Sequence, residues 1–263
     1  GQTYPIDYLA SFAEFSGGGY AISYNAGVLY KASEKLSLAL TFNGGTALTL
    51  SGDASIDLYT PIALQLAQPT VFTDDIISSE SLPEGDRPTF ETELAMPMVI
   101  GAGVHTQLTD RLSLNADLSY TLWSQYKSLD ITFTGKNPLG DDLEELSQAK
   151  NWKDTIRLAV GFSRALGESS YLNLGYFFET SPIPDESFDP LIPDTGLKHS
   201  LNLGFGYKFN ENIGFVLNVE NTFLPEKTVE EYSDPNEDGE WDNVPGEYEL
   251  NVFSANAAFT YSF

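Results

Sequence analysis

The chain has 263 residues, of which 38 are Asp or Glu and 13 are Lys or Arg, for a net charge of -25. That balance argues against a nucleic-acid partner, whose phosphates require cations, and fits either a heavily solvated acidic surface or cationic and metal partners. With no cysteine there is no disulfide framework, zinc thiolate site or cysteine nucleophile, and no run approaches the roughly 20 apolar residues of a membrane helix.

Read from the N-terminus, the sequence shows no signal peptide at Gly1, as a mature or trimmed chain would read. Beyond it the apolar residues recur with a period of two. Tyr20, Ile22, Tyr24, Ala26, Val28 and Tyr30 alternate with small or polar residues, and Leu36, Leu38, Leu40 and Phe42 follow. Met98 to Val104 and Leu112 to Leu122 repeat the pattern, as do Ile156 to Phe162 and Leu172 to Phe178. Leu201 to Phe209, Ile213 to Val219 and Phe253 to Phe263 complete it. A period of two marks strands with one oily and one wet face, so the pattern predicts nine strands, most of ten residues or longer. Helical periodicity is confined to "DDLEELSQA" (residues 141–149), where one or two helical turns are expected.

The connections alternate in length. "KASEK" (31–35), "QLTDR" (107–111), "ALGESS" (165–170) and "FNEN" (209–212) read as tight turns. Between them lie long, acidic, Pro-rich stretches at 51–96, 135–151, 181–196 and 225–246. Short turns at one end and long loops at the other are the layout of an outer-membrane barrel; a soluble sandwich has shorter strands and no such alternation. The oily face carries no charge in the eight clearest runs, as lipid requires, whereas the wet face carries Asn115, Asp117, Arg157, Asn173, Asn202, Asn218 and Glu220 among Gly and Ser. Aromatics gather at the run ends, and the chain closes on "AFTYSF". The fold class read here is all-β: a transmembrane antiparallel β-barrel of the bacterial outer membrane, with residues 1–263 as one barrel domain and 225–246 as a long acidic extracellular loop. Nine antiparallel strands cannot close on themselves, so at least one strand is missing or hidden in residues 3–15, and the chain reads as the C-terminal part of a larger barrel.

Several stretches then resemble one family. "LSYTLWSQYKSL" (118–129), "NWKDTIRLAVGFS" (151–163), "SPIPDESFDPLIPD" (181–194), "LNLGFGYKFN" (201–210) and "FTYSF" (259–263) occur in an order similar to the FadL/TodX outer-membrane transporters. Residues 17–44 resemble a middle pair of their strands. The resemblance implies a fourteen-stranded barrel plugged by an N-terminal hatch, with the hatch and about five strands absent here. It implies passive uptake of long-chain fatty acids or other hydrophobic molecules, with no cofactor. After "IPD" the family usually has an Arg; this chain has Lys198 and His199 instead.

A carboxylate ligand needs a cation and its acyl chain an apolar pocket. By parity, Lys153 and Arg157 share a lumenal face, and Arg157 is the expected ligand cation because guanidinium grips a carboxylate bidentately. Its plainer role is an ion pair with Asp117 or Glu220. Lys208 joins this group at a rim. In "DPNEDGEWD", Asp234, Asn236, Asp238, Glu240 and Asp242 set oxygens on alternate residues around Gly239, a calcium-loop spacing that lacks the closing Glu at position twelve. A structural calcium ion there is the metal expectation; a solvated acidic loop is the alternative. Two widely separated histidines, His105 and His199, and no nucleophile motif argue against an enzyme. The expected partners are a hydrophobic small molecule and outer-membrane lipid. The rival function is a docking or shuttle protein of a secretion system that binds protein partners through its extracellular loops.

Overall fold

The computed structural model describes residues 10–59 and 76–262. Its strands, in chain order, are β1 (Ala10–Tyr20), β2 (Asn25–Lys31), β3 (Leu36–Asn43), β4 (Thr46–Tyr59) and β5 (Ile76–Ser78). There follow β6 (Thr89–Met96), β7 (Val99–Thr109), β8 (Leu112–Thr121), β9 (Ser128–Thr134), β10 (Leu146–Ala149) and β11 (Thr155–Ala165). The rest are β12 (Ser170–Glu179), β13 (Lys198–Lys208), β14 (Ile213–Phe223), β15 (Lys227–Val229), β16 (Gly246–Tyr248) and β17 (Asn251–Tyr261). The described residues pack as two compact units, one of residues 22–46, 95–128 and 148–262 and the other of residues 10–21, 47–59, 76–94 and 129–147.

The first unit is a wall. Nine strands pair in the order β17-β14-β13-β12-β11-β8-β7-β3-β2, each antiparallel to its neighbours. These are the nine period-two runs, laid side by side in chain order. Four tight connections join them at 32–35, 110–111, 166–169 and 209–212. The last is set by Asn210, whose Oδ1 accepts the amides of Asn212 (2.9 Å) and Ile213 (2.8 Å), a side-chain mimic of a backbone turn. The long connections leave from the opposite strand ends.

The fate of the oily face decides what this wall is. At mid-strand Leu118 is 49% exposed, Leu174 53% and Leu203 47%, and no second layer covers them among the described residues. The buried apolar residues there are Ala54, Phe90, Ala149, Trp152, Ile183, Phe188 and Val229, and none belongs to the nine strands. An uncovered apolar face of this extent is incompatible with water and matches lipid. The dimensions agree: 11 residues at about 3.3 Å each, tilted by about 45°, span about 25 Å, the height of a barrel's apolar band. β2 and β17 run in the same direction, so they cannot pair antiparallel, and both stand as edges of the wall.

The second unit is a six-stranded sheet in the order β1-β4-β6-β9-β10, with β5 on β4. Phe15 packs on Phe90 and Phe133 at centroid distances of 5.2 and 6.0 Å. Gly17 and Gly52 face each other across β1 and β4; a Cβ on Gly17 would lie 2.5 Å from the Ser51 carbonyl oxygen, so the two backbones meet only because both are glycine.

Three expectations change. Residues 51–96 are not simply a loop: β4 continues the alternation through Leu48, Leu50, Ala54 and Ile56, and β5 and β6 follow. Residues 141–149 hold no helix; β10 occupies their end, and Lys136 bridges to Asp142, because ladder pairing satisfies that backbone better than one isolated helical turn. The segment suspected of hiding a strand does contain the start of β1, but β1 pairs with β4 in the second sheet and not with the wall; residues 3–9 lie outside the described residues.

Candidate functional site

The wet face of the wall is built in rungs, because directly opposed residues of antiparallel strands share a face. One rung runs Ser119, Arg157, Glu179, Lys198. The next runs Asp117, Ala159, Phe177, Ser200, Thr222, and the third Asn115, Gly161, Gly175, Asn202, Glu220. Small residues keep this face shallow in the middle, and Arg157, Asp117 and Glu220 line one depression there of about 440 Å³.

The top rung is an ion ladder. Arg157 lies 3.6 Å from Glu179 and 4.0 Å above the centre of the Phe177 ring. Lys198 lies 3.7 Å from the other Glu179 oxygen and 2.5 Å from Asp194. The partner of Arg157 is therefore Glu179, not Asp117 or Glu220. Glu179 is directly opposite on the next strand, while Asp117 is one rung away and Glu220 three strands away, about 14 Å at sheet spacing. Glu220 instead accepts from Asn202 Nδ2 at 3.2 Å. Lys153 sits before β11, where its amide bonds the Pro182 carbonyl at 2.8 Å, and Lys208 ends β13 at the short-turn rim. Neither joins the depression. Glu179 and Phe177 were legible by extending the odd parity of Asn173 and Gly175 past the apolar run.

On the oily face the polar contacts sit at the strand ends, as an interfacial belt requires. The Tyr176 hydroxyl is 2.7 Å from His199 Nδ1, so adjacent Lys198 and His199 serve opposite faces. The Tyr120 hydroxyl donates to Asp154 at 2.6 Å, and the Ser124 amide to its other oxygen at 2.8 Å. These bonds, Tyr120 first, hold the Asp154 carboxyl below the usual carboxylate range.

A two-faced wall with an uncovered apolar side, a Gly- and Asn-rich side bearing charges, and a short-turn and a long-loop end is an outer-membrane strand array. Residues 2–263 match the family described as outer membrane protein transport protein (OMPP1/FadL/TodX). The chain belongs to that family. It is 25% identical over 207 residues to the long-chain fatty acid transport protein of Escherichia coli O157:H7, covering 79% of this chain and 43% of the relative. The Salmonella typhi protein of the same name is 27% identical over 203 residues, 76% and 42% of the two chains. Among solved structures, a Pseudomonas aeruginosa FadL homologue superposes with a TM-score of 0.61 at 22% identity, over 90% of this chain and 50% of that one. The Pseudomonas putida toluene transporter TodX gives 0.61 at 14% identity, over 96% and 53%. The chain thus spans about half the length of the relatives it matches, and it is a β-barrel protein of the Gram-negative outer membrane.

The stretches that carried the family resemblance hold the long-loop end of the wall together. Trp152 meets Trp123 and Tyr126 edge-on at 5.0 and 5.1 Å. Ile183, Phe188 and Val229 complete a buried cluster with it. Asp185 of the Ser-Pro-x-Pro-Asp element pairs with Lys227 at 2.6 Å, and Lys227 lies over the Phe188 ring. Three long connections of the wall, from β8 to β11, β12 to β13 and β14 to β17, contribute to this small core.

The acidic stretch 234–242 folds against its own backbone. Asp234 accepts the amides of Asp238 (3.1 Å) and Gly239 (2.9 Å), and Asp238 accepts that of Glu240 (2.9 Å). Asn236 donates to Asp238 at 2.9 Å. Asp242 turns inward, is buried, and accepts the Ala149 amide at 2.6 Å. Burial, chiefly, pushes its carboxyl above the usual range, and Lys150, also buried, is pulled down by the same cause. Among the described residues no three Asp, Glu or His side chains converge as a metal site.

Proposed function

We propose that the protein lets hydrophobic small molecules, long-chain fatty acids or hydrocarbons, pass the outer membrane down their gradient through the barrel lumen, without a cofactor and without chemical conversion. The observation that carries this reading is the mid-wall depression among Arg157, Asp117 and Glu220, on the polar face of a wall whose family transports molecules across this membrane. The histidines are engaged structurally, His105 with Asn115 at 2.8 Å and His199 with Tyr176, which supports transport over catalysis. The test is uptake of a labelled hydrophobe by whole cells carrying the full-length protein in an outer membrane, against cells with an empty vector. Equal uptake in the two, with the protein shown to be inserted, would remove the proposal. A stoichiometric protein partner recovered from those cells would favour loop-mediated docking instead.

A calcium ion held by Asp234, Asn236, Asp238, Glu240 and Asp242 is a further proposal; the carboxylate oxygens that accept amides in that loop keep further lone pairs for a cation.

A further inference from the structure

We infer that the molecule admitted is an uncharged hydrophobe and that carboxylates are disfavoured; the inference rests on the uptake reading above and names its substrate class. The first ground is where the charges lie. The short turns and the strand ends beside them carry five cations (Lys31, Lys35, Arg111, Arg164, Lys208) and four acids (Glu34, Asp110, Glu168, Glu211), whereas the wall's own long connections at 122–128, 148–154, 180–197 and 224–250 carry 15 acids against four cations (Lys127, Lys150, Lys153, Lys227). A carboxylate approaching the long-loop end meets a strongly negative field, which a neutral molecule does not feel.

The second ground is the lumenal face itself. A carboxylate site needs a cation whose charge is not already neutralised by a neighbouring carboxylate. Arg157 is shared between Glu179 and the Phe177 ring, and Lys198 between Asp194 and Glu179. The two cations and two anions of the ladder cancel. Below the ladder, the ionised side chains lining the depression are Asp117 and Glu220, both acidic. A fatty-acid headgroup on Arg157 would share that cation with Glu179, with Asp117 one rung away. A hydrocarbon or an alcohol faces neither that competition nor the repulsion.

The test compares decanol with decanoate, which share an alkyl chain and differ in the charged end, in whole cells expressing the full-length protein, each rate corrected for cells with an empty vector. Decanol should enter at least about tenfold faster at neutral pH, the lower end of what fields of this kind do to encounter rates. Lowering the pH so that more decanoate is protonated should raise its rate and leave that of decanol little changed. The double variant E179Q/D194N releases both ladder cations and should narrow the decanol preference at least about threefold; the pH comparison on the unaltered protein decides the matter if that variant does not insert. Equal rates, faster decanoate, or a preference that neither pH nor the variant moves would overturn the inference and leave uptake standing. Entry of neither compound overturns uptake itself, and the inference with it.

Discussion

Leu203→Arg tests the orientation of the wall most directly. Leu203 is the sixth of the eleven residues of β13, flanked by Leu174 and Val219 on the same face. With about 25 Å of apolar band spanned by the strand, position 203 falls at the bilayer midplane. Arginine there should cost about 2–4 kcal/mol more than alanine. Tyr207, four residues on, lies about 9 Å nearer the short-turn rim at the same tilt, and arginine there should cost only about 0–1 kcal/mol beyond alanine. Asn202→Arg points the same charge to the other face, beside Glu220, and should stay within about 1 kcal/mol of the parent. The assay is reversible urea unfolding of the full-length protein from lipid vesicles. Equal costs at 202 and 203, or a cost below about 1 kcal/mol at 203, would refute a lipid-facing oily side.

Gly206→Ala should destabilise the barrel by about 1–3 kcal/mol in the same assay, since the added methyl would land in the ring of Tyr171, which faces Gly206 directly across β12 and β13. Asp242, with its carboxyl raised mainly by burial, should stabilise the loop core most at low pH. A folded pKa above the unfolded one gives stability that is complete below the unfolded value and is lost as pH rises through the folded one. Exchange of the Ala149 amide, corrected for intrinsic rate, should therefore quicken as pH rises above the ordinary carboxylate value of about 4, and Asp242→Asn should remove that dependence; an unchanged dependence in the variant counts against the assignment. If calcium binds the 234–242 stretch, adding it should protect residues 230–247 from protease, and unchanged cleavage would exclude the ion.

The number of wall strands, their faces and the ends at which they turn are all legible along the chain. Alternation is a local property of an extended backbone, and a run such as Leu112 to Leu122 needs no distant partner to declare which residues point together. The sequence also supplied Asn210 for its turn. It concealed β4 because Gly52, Asp53 and Asp57 interrupt the apolar alternation with loop-like residues. Which charges meet is set by strand pairing and not by any local pattern. Arg157, Asp117 and Glu220 were readable as one face, but strand registry chose Glu179 as the partner of Arg157 and left Glu220 three strands away. Asp242 reads locally as one more oxygen of an acidic loop, yet its carboxylate caps the amide of Ala149, 93 residues away. The loop core joins Trp152, Ile183, Phe188 and Val229 from three connections that have no shared period. Period and turn chemistry act over a few residues and can be read along the chain; pairing and burial act across it, and only the fold brings those residues together.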